Sequence, residues 1–338
     1  MKATYDELFF SRTHDFLDVY LAKQINRSKQ TVRSYRYALL IFYNFISDSK
    51  KMNPMKFLFS DCTHDLILEY AEYLKEELNY KSSSVNQRIA ALKAYAKYVS
   101  DDDMSLIQMR VGIASVPLQK VPKLQRPVIS RDALKDMLDI PDTSKFSIRD
   151  RTMLILLFDT AMRVGELINL KIGDLHIESA NPYIYAFGKG NKERVIGLSE
   201  KTVGHLEQYL SNFHIDADNA KAPLFYTVIK GNITTMSARN VERIVDKYAG
   251  RVARSDMPES VYPHMLRRTR ATGLYQDGVP LEMISRILGH RYMDTTKIYA
   301  SPSVEQLREV LERNSNEEPE PVLWTGKTDE IAKKFGLK

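Results

Sequence analysis

Apolar residues recur every three or four positions through most of this chain, the period of a helix with one buried face. Over residues 31–47 the stripe is Tyr35, Leu39, Phe42 and Ile46, with Arg33 and Arg36 off it. Residues 83–99 repeat the pattern: Val85, Ile89, Leu92, Ala96 and Val99 share a face, while Asn86, Arg88, Lys93 and Lys97 lie elsewhere. Segments 66–78 and 16–22 continue it, so residues 1–110 are expected to fold as a small all-helical bundle.

The periodicity breaks over residues 111–127, where Gly112, Pro117, Pro122 and Pro127 alternate with Lys120, Lys123 and Arg126. Such a stretch is a poor helix and predicts an extended basic linker between two domains. A second domain is then expected over 128–314, with a short helix at 130–138. Ser147-Ile-Arg-Asp150 resembles a capping box, with Asp in place of Glu, that opens a buried helix through the apolar run 153–158. The runs 182–187 and 193–197, rich in β-branched and aromatic residues, flank Gly188-Lys-Gly-Asn-Lys192 and predict a β-hairpin with a flexible basic tip. Helical spacing returns at 199–212, 237–249, 264–276, 280–288 and 303–314. The fold class is therefore mainly α, a helical domain followed by a mostly helical α/β domain with a small antiparallel sheet. Residues 315–338 form a tail: an acidic, proline-containing tether, then the short apolar set Val322, Leu323, Trp324, Ile331, Ala332 and Phe335. Too brief to fold alone, this set either packs on its own domain or docks on another molecule.

Composition narrows the function classes. With 338 residues, 43% hydrophobic and 27% charged, the chain can bury two cores, and a disordered or fibrous class is excluded. A formal charge of +6 and a pI near 9.0 point toward a polyanionic partner. The single cysteine, Cys62, cannot form an internal disulfide and is expected to be a small interior filler in a protein of a reducing compartment. Residues 1–10 lack a basic region followed by an apolar stretch, and no long uncharged apolar run fits a bilayer, so a soluble, cytoplasmic protein is expected. In the first domain, Ser82, Ser83, Ser84, Asn86 and Gln87 cluster at a helix start, where short polar side chains and backbone amides suit phosphate and base-edge contacts. Arg33, Arg36, Ser82, Ser83, Asn86 and Arg88, with Lys120 and Lys123 of the linker, are the candidate DNA contacts.

The second domain holds an ordered set of chemically capable residues. Arg163 stands at a helix start with Glu166 one turn ahead, and His264 and Arg267 are three apart on one helical face. Two guanidiniums can clamp the non-bridging oxygens of a phosphate, and their benefit grows as phosphorus becomes five-coordinate. Lys189 sits between glycines at the hairpin tip, where a lysine of lowered pKa could protonate a departing oxygen; Lys192 is the neighbouring competitor. His290 follows Leu288-Gly289, and Tyr299 stands nine positions later with a phenol able to attack phosphorus. Metal binding by His264 or His290 is disfavoured, because neither has a His or Cys partner at i+3 to i+5.

Thr160-Ala-Met-Arg163-Val-Gly-Glu166-Leu-Ile-Asn-Leu170, Gly188-Lys189-Gly-Asn-Lys-Glu-Arg194, His264-Met-Leu-Arg267 and Leu288-Gly-His290 with Tyr299 resemble, in order and spacing, the catalytic blocks of the tyrosine recombinases, the family of phage integrases and Xer-like site-specific recombinases. The likeness spans residues 130–313; one departure is Arg268, where many relatives carry His. The resemblance implies a helical core-binding domain and a catalytic domain clamping duplex DNA. It implies Tyr299 as nucleophile forming a 3′-phosphotyrosyl link, Lys189 as general acid, and Arg163 and Arg267 as transition-state clamps. His264 would move a proton near the nucleophile, His290 would hydrogen-bond the phosphate, and Glu166 would hold the site together by orienting His264. No cofactor is implied. The implied assembly is a tetramer on two DNA sites, joined by the tail docking on a neighbour, with accessory DNA-bending proteins an open partner class. Integration or excision of a mobile element and resolution of DNA are the roles this leaves; a type IB topoisomerase-like enzyme or a non-catalytic DNA-binding accessory protein are the alternatives.

Overall fold

The computed structural model describes residues 5–122, 127–139, 144, 146–188, 193–214, 219–289 and 294–297. The chain divides into two compact units, Met1–Gln125 and Arg126–Lys338.

The first unit is helical. A π-helix, Asp15–Gln24, leads into α1 (Lys29–Asn44), which continues as a π-helical turn, Phe45–Ser49. Then come α2 (His64–Glu76), α3 (Ser82–Asp102) and α4 (Ile107–Ser115). Ser28 and Thr63 accept the Thr31 and Leu66 amides, so α1 and α2 begin where a hydroxyl satisfies an otherwise orphaned N–H. The stripe read from the sequence faces inward: Leu39 and Phe42 from α1 and Ile46 from the turn after it share a core with Val85, Ile89, Leu92, Ala96 and Val99 from α3. Phe9 lies at the centre, its ring touching Phe42, Phe57, Phe59 and Tyr95. Cys62 is buried, and burial pushes its thiol pKa up.

The expected linker over 111–127 is corrected at its start. Helix α4 runs through Ser115, and Ile113 and Val116 belong to the first unit's core. Burial of these residues outweighs the helix penalty of Gly112, and the Lys93 ammonium caps the end by donating to the Ala114 and Val116 carbonyls. Only from Val116 does the chain leave regular structure.

The second unit contains α5 (Arg131–Asp139), α6 (Ser147–Asp159), α7 (Val164–Asn169), α8 (Glu200–Phe213), α9 (Ala238–Ala249), α10 (Pro263–Gln276), α11 (Leu281–Leu288) and α12 (Asp294–Lys297). Strands β1 (Leu175–His176), β2 (Tyr183–Phe187) and β3 (Glu193–Gly197) form an antiparallel sheet, with Ala186 opposite Arg194 and Phe187 opposite Glu193. A separate hairpin pairs β4 (Tyr226–Ile229) with β5 (Asn232–Thr235). Helix α6 is the core helix, burying Met153, Leu154, Leu156 and Leu157.

Its start differs from the expected capping box. Ser147 already lies in the helix, Phe146 holds the N-cap position without a side-chain hydrogen bond, and Asp150 is drawn to the Arg149 guanidinium at 2.7 Å. A buried carboxylate beside an arginine gains more from that charge than from a backbone amide. Among the described residues no helix is long and apolar enough to cross a membrane.

Candidate active site

The site is built around the turn between α6 and α7. Ala161 takes the left-handed conformation there, with φ +49°, unfavourable for a residue with a Cβ. The turn is held by its surroundings: the Thr160 hydroxyl donates to the Leu156 carbonyl and accepts the Met162 amide, and Ala161 is wholly buried with Ala271, Ile284 and Leu288. This conformation leaves the Ala161 carbonyl to accept a 2.6 Å hydrogen bond from Arg267.

Arg163 stands at the N-cap of α7 and Glu166 in its first turn. Glu166 reaches back: Oε2 accepts the Arg163 amide at 2.8 Å and Oε1 accepts Arg163 Nη1 at 2.7 Å. A second guanidinium, from Arg194 on β3, donates Nη2 to Oε2 at 2.8 Å. Burial of Glu166 would raise its pKa; the Arg194 charge, the Arg163 amide and the two guanidinium hydrogen bonds outweigh that and hold it below its ordinary value. Both oxygens thus go to arginine, and Glu166 orients Arg163.

The end of α11 meets the same group. Gly289 caps it at φ +61°, and three successive carbonyls each accept from a different arginine. Ile287 takes Arg194 Nη1, Leu288 takes Arg267 Nη2 at 2.6 Å, and Gly289 takes Arg163 Nη2 at 3.3 Å. The orphaned carbonyls and negative end of a helix thereby fix three cations. Gly289 is needed twice, since a Cβ there would also come within 2.8 Å of Arg194 Cδ.

Arg267 is 1% exposed, whereas Arg163 and His264 line an open cavity of about 510 Å³, with Phe187 and Gly188 at the end of β2. His264 lies in the first turn of α10, behind Pro263, and is exposed. The structure thus brings Arg163, Glu166, His264 and Arg267 to one turn. Lys189, His290 and Tyr299 lie outside the described residues, as do the competitor Lys192 and the tail. Arg268 is structural, donating to the Pro127 carbonyl and the Tyr262 hydroxyl. Arg194 is the residue that sequence reasoning missed: it shares the inward face of β3 with buried Ile196, and a charged residue at an inward strand position was the available signal.

The candidate DNA contacts of the first unit divide. Arg33 and Lys120 are exposed, Arg36 pairs with Asp18 at 2.6 Å, and Ser82 and Ser83 open α3 behind Lys81. Arg88 lies over the Tyr37 and Tyr80 rings, beside Gln87, which donates to Ser34. Asn86 is engaged within the unit: its amide donates to the Gln119 carbonyl and accepts the Gln119 amide, pinning the chain after α4 to α3. Lys123 lies outside the described residues.

Comparison with known proteins agrees with this architecture. The model of the phage integrase family matches residues 127–306, and that of the phage integrase N-terminal SAM-like domain matches residues 15–101. Tyrosine recombinase XerA of Pyrococcus horikoshii is 30% identical, over 85% of this chain and 88% of its own. Tyrosine recombinase XerD of Rickettsia bellii is 27% identical, over 88% and 95%. Among solved structures, XerH site-specific recombinase bound to difH substrate shares the fold with a TM-score of 0.65 at 21% identity, over 87% of this chain and 83% of that one. A lambda integrase tetramer bound to a Holliday junction gives 0.62 at 16%, over 85% and 77%. The chain belongs to the phage integrase family of tyrosine recombinases and is a tyrosine-type site-specific DNA recombinase.

Proposed function

We propose that this recombinase exchanges DNA strands through a 3′-phosphotyrosyl intermediate at the turn between α6 and α7. The Tyr299 phenol oxygen attacks the scissile phosphorus as its proton passes toward His264. The bond to the 5′ oxygen breaks, and Lys189 protonates that leaving group. Arg163 and Arg267 bind the phosphate oxygens as they gain charge, His290 adds a hydrogen bond, and Glu166 holds Arg163 in place. A 5′-hydroxyl from a second strand reverses the step and rejoins exchanged partners, so neither metal nor nucleotide is required.

The observation that carries this reading is the convergence of Arg163 and Arg267, from different helices, on the end of α11, immediately before His290. A guanidinium has five donors, so anchoring to carbonyls still leaves N–H groups for a ligand. Both units are proposed to contact duplex DNA, the first through Arg33, Arg36, Ser82, Ser83 and Arg88 and the basic segment around Lys120 and Lys123. Four copies would act on two sites in the cytoplasm, the tail docking on a neighbouring copy, to integrate or excise a mobile element or resolve joined DNA.

The test is covalent trapping on nicked duplexes carrying candidate sites from DNA flanking the gene, without added metal. Wild type should give a protein–DNA adduct and Tyr299→Phe none, both still binding DNA. An adduct surviving in the mutant would move the nucleophile elsewhere.

A further inference from the structure

Arg194 has no role in the chemistry described above, yet it joins three pieces of the site. It lies on β3, opposite Ala186 on β2, and Lys189 falls in the connection between these strands. Its guanidinium donates to the Glu166 carboxylate at 2.8 Å and to the Ile287 carbonyl at the end of α11. Its stem fills the space that only a glycine at position 289 leaves open. Arg194 and Glu166 are both largely buried, with side chains 15% and 2% exposed, so their charges are poorly screened by water.

The charge balance gives this arrangement its meaning. A carboxylate paired with Arg163 alone would cancel its charge and compete with a phosphate for its N–H groups. Shared between two guanidiniums, Glu166 still orients Arg163, but the group of three keeps one net positive charge. We infer that Arg194 is a positioning residue of the strand-exchange site, one that leaves Arg163 cationic toward the phosphate while fixing the base of the Lys189-bearing hairpin to the chain entering His290. This rests on the site proposed above.

The test is single-turnover cleavage of a nicked duplex at saturating protein, with affinity measured separately by mobility shift. Arg194→Met should bind DNA within about threefold of wild type and cleave roughly 100-fold more slowly, because a charge developing on phosphate loses its partner. Arg194→Lys, which keeps the charge but not the planar fork, should fall between them. The double variant Arg194→Met with Glu166→Gln should recover about tenfold over Arg194→Met, since the carboxylate that cancels Arg163 is gone. If Arg194→Met is poorly folded, Arg194→Lys and the double variant carry the test.

Wild-type cleavage by Arg194→Met overturns the inference. So does a double variant no faster than Arg194→Met, which would make Arg194 a structural tie alone. If Arg163→Met also cleaves at the wild-type rate, the site reading fails instead, and this inference with it.

Discussion

The two units differ in what their hydrophobic cores enclose. Among the described residues, the first buries hydrophobic side chains with Ser100 as its one buried polar residue. The second buries Asp150, Glu166, Arg267 and Arg268 and seven Ser and Thr side chains. Buried charge costs desolvation that partners only offset, whereas aromatic packing is favourable outright. The first core is organised for stability and presentation of a surface; the second holds cations where a reacting phosphate can use them.

The sharpest way to break this contrast is to remove the most buried charge. Arg267→Met should lower single-turnover cleavage by roughly 10² to 10³. It should also cost about 3 kcal/mol in denaturant unfolding, because the Ala161 and Leu288 carbonyls lose their donor. Loss of stability without loss of cleavage would make Arg267 a core element like those of the first unit. In that unit, Phe42→Ala should cost about 4 kcal/mol by leaving a cavity at the centre of the ring cluster. The DNA retained at saturation should still be cleaved near the wild-type rate.

Gly289→Ala should cost about 1 to 2 kcal/mol through its positive φ and displace Arg194, slowing cleavage more than its stability loss accounts for. Acid separates the cores further. The folded Glu166 carboxyl is depressed, so its contribution is present above the ordinary value of 4.5 and is lost as pH falls below it. Wild type should therefore lose more thermal stability than Glu166→Gln between neutral pH and pH values under 4.5. The smallest effect is expected at the surface: Arg33→Ala should weaken binding alike on specific and nonspecific DNA and reduce the salt slope by about one.

Much of the fold was legible because helical periodicity reports burial. The stripes of α1 and α3 and the β2–β3 hairpin fall within a few residues of where the pattern puts them. What escaped depended on tertiary partners. The first residues of the expected linker are helical because Ile113 finds a core that no local rule reveals. The β4–β5 hairpin turns at Lys230-Gly231, both at positive φ, and its lysine obscured the turn chemistry. In the site, Arg163 at a helix start was readable from its neighbours, whereas the left-handed Ala161 and the Arg194 bond to Glu166 join residues far apart in sequence. The tie of Asn86 to Gln119 was likewise hidden, because α4 lies between the two in sequence.

The end of α11 also sets a timetable. During synthesis Arg163, Glu166 and Arg194 leave the ribosome well before Ile287, Leu288 and Gly289, whose carbonyls lie 93 to 126 residues from the first and third of these side chains. The carboxylate and its two cations lie nearer one another in sequence, but the carbonyls that orient them belong to α11, a contact of high sequence separation and so one expected to form late. A chain cut before α11 should therefore lack the three carbonyls that align its cations, whatever its first unit does.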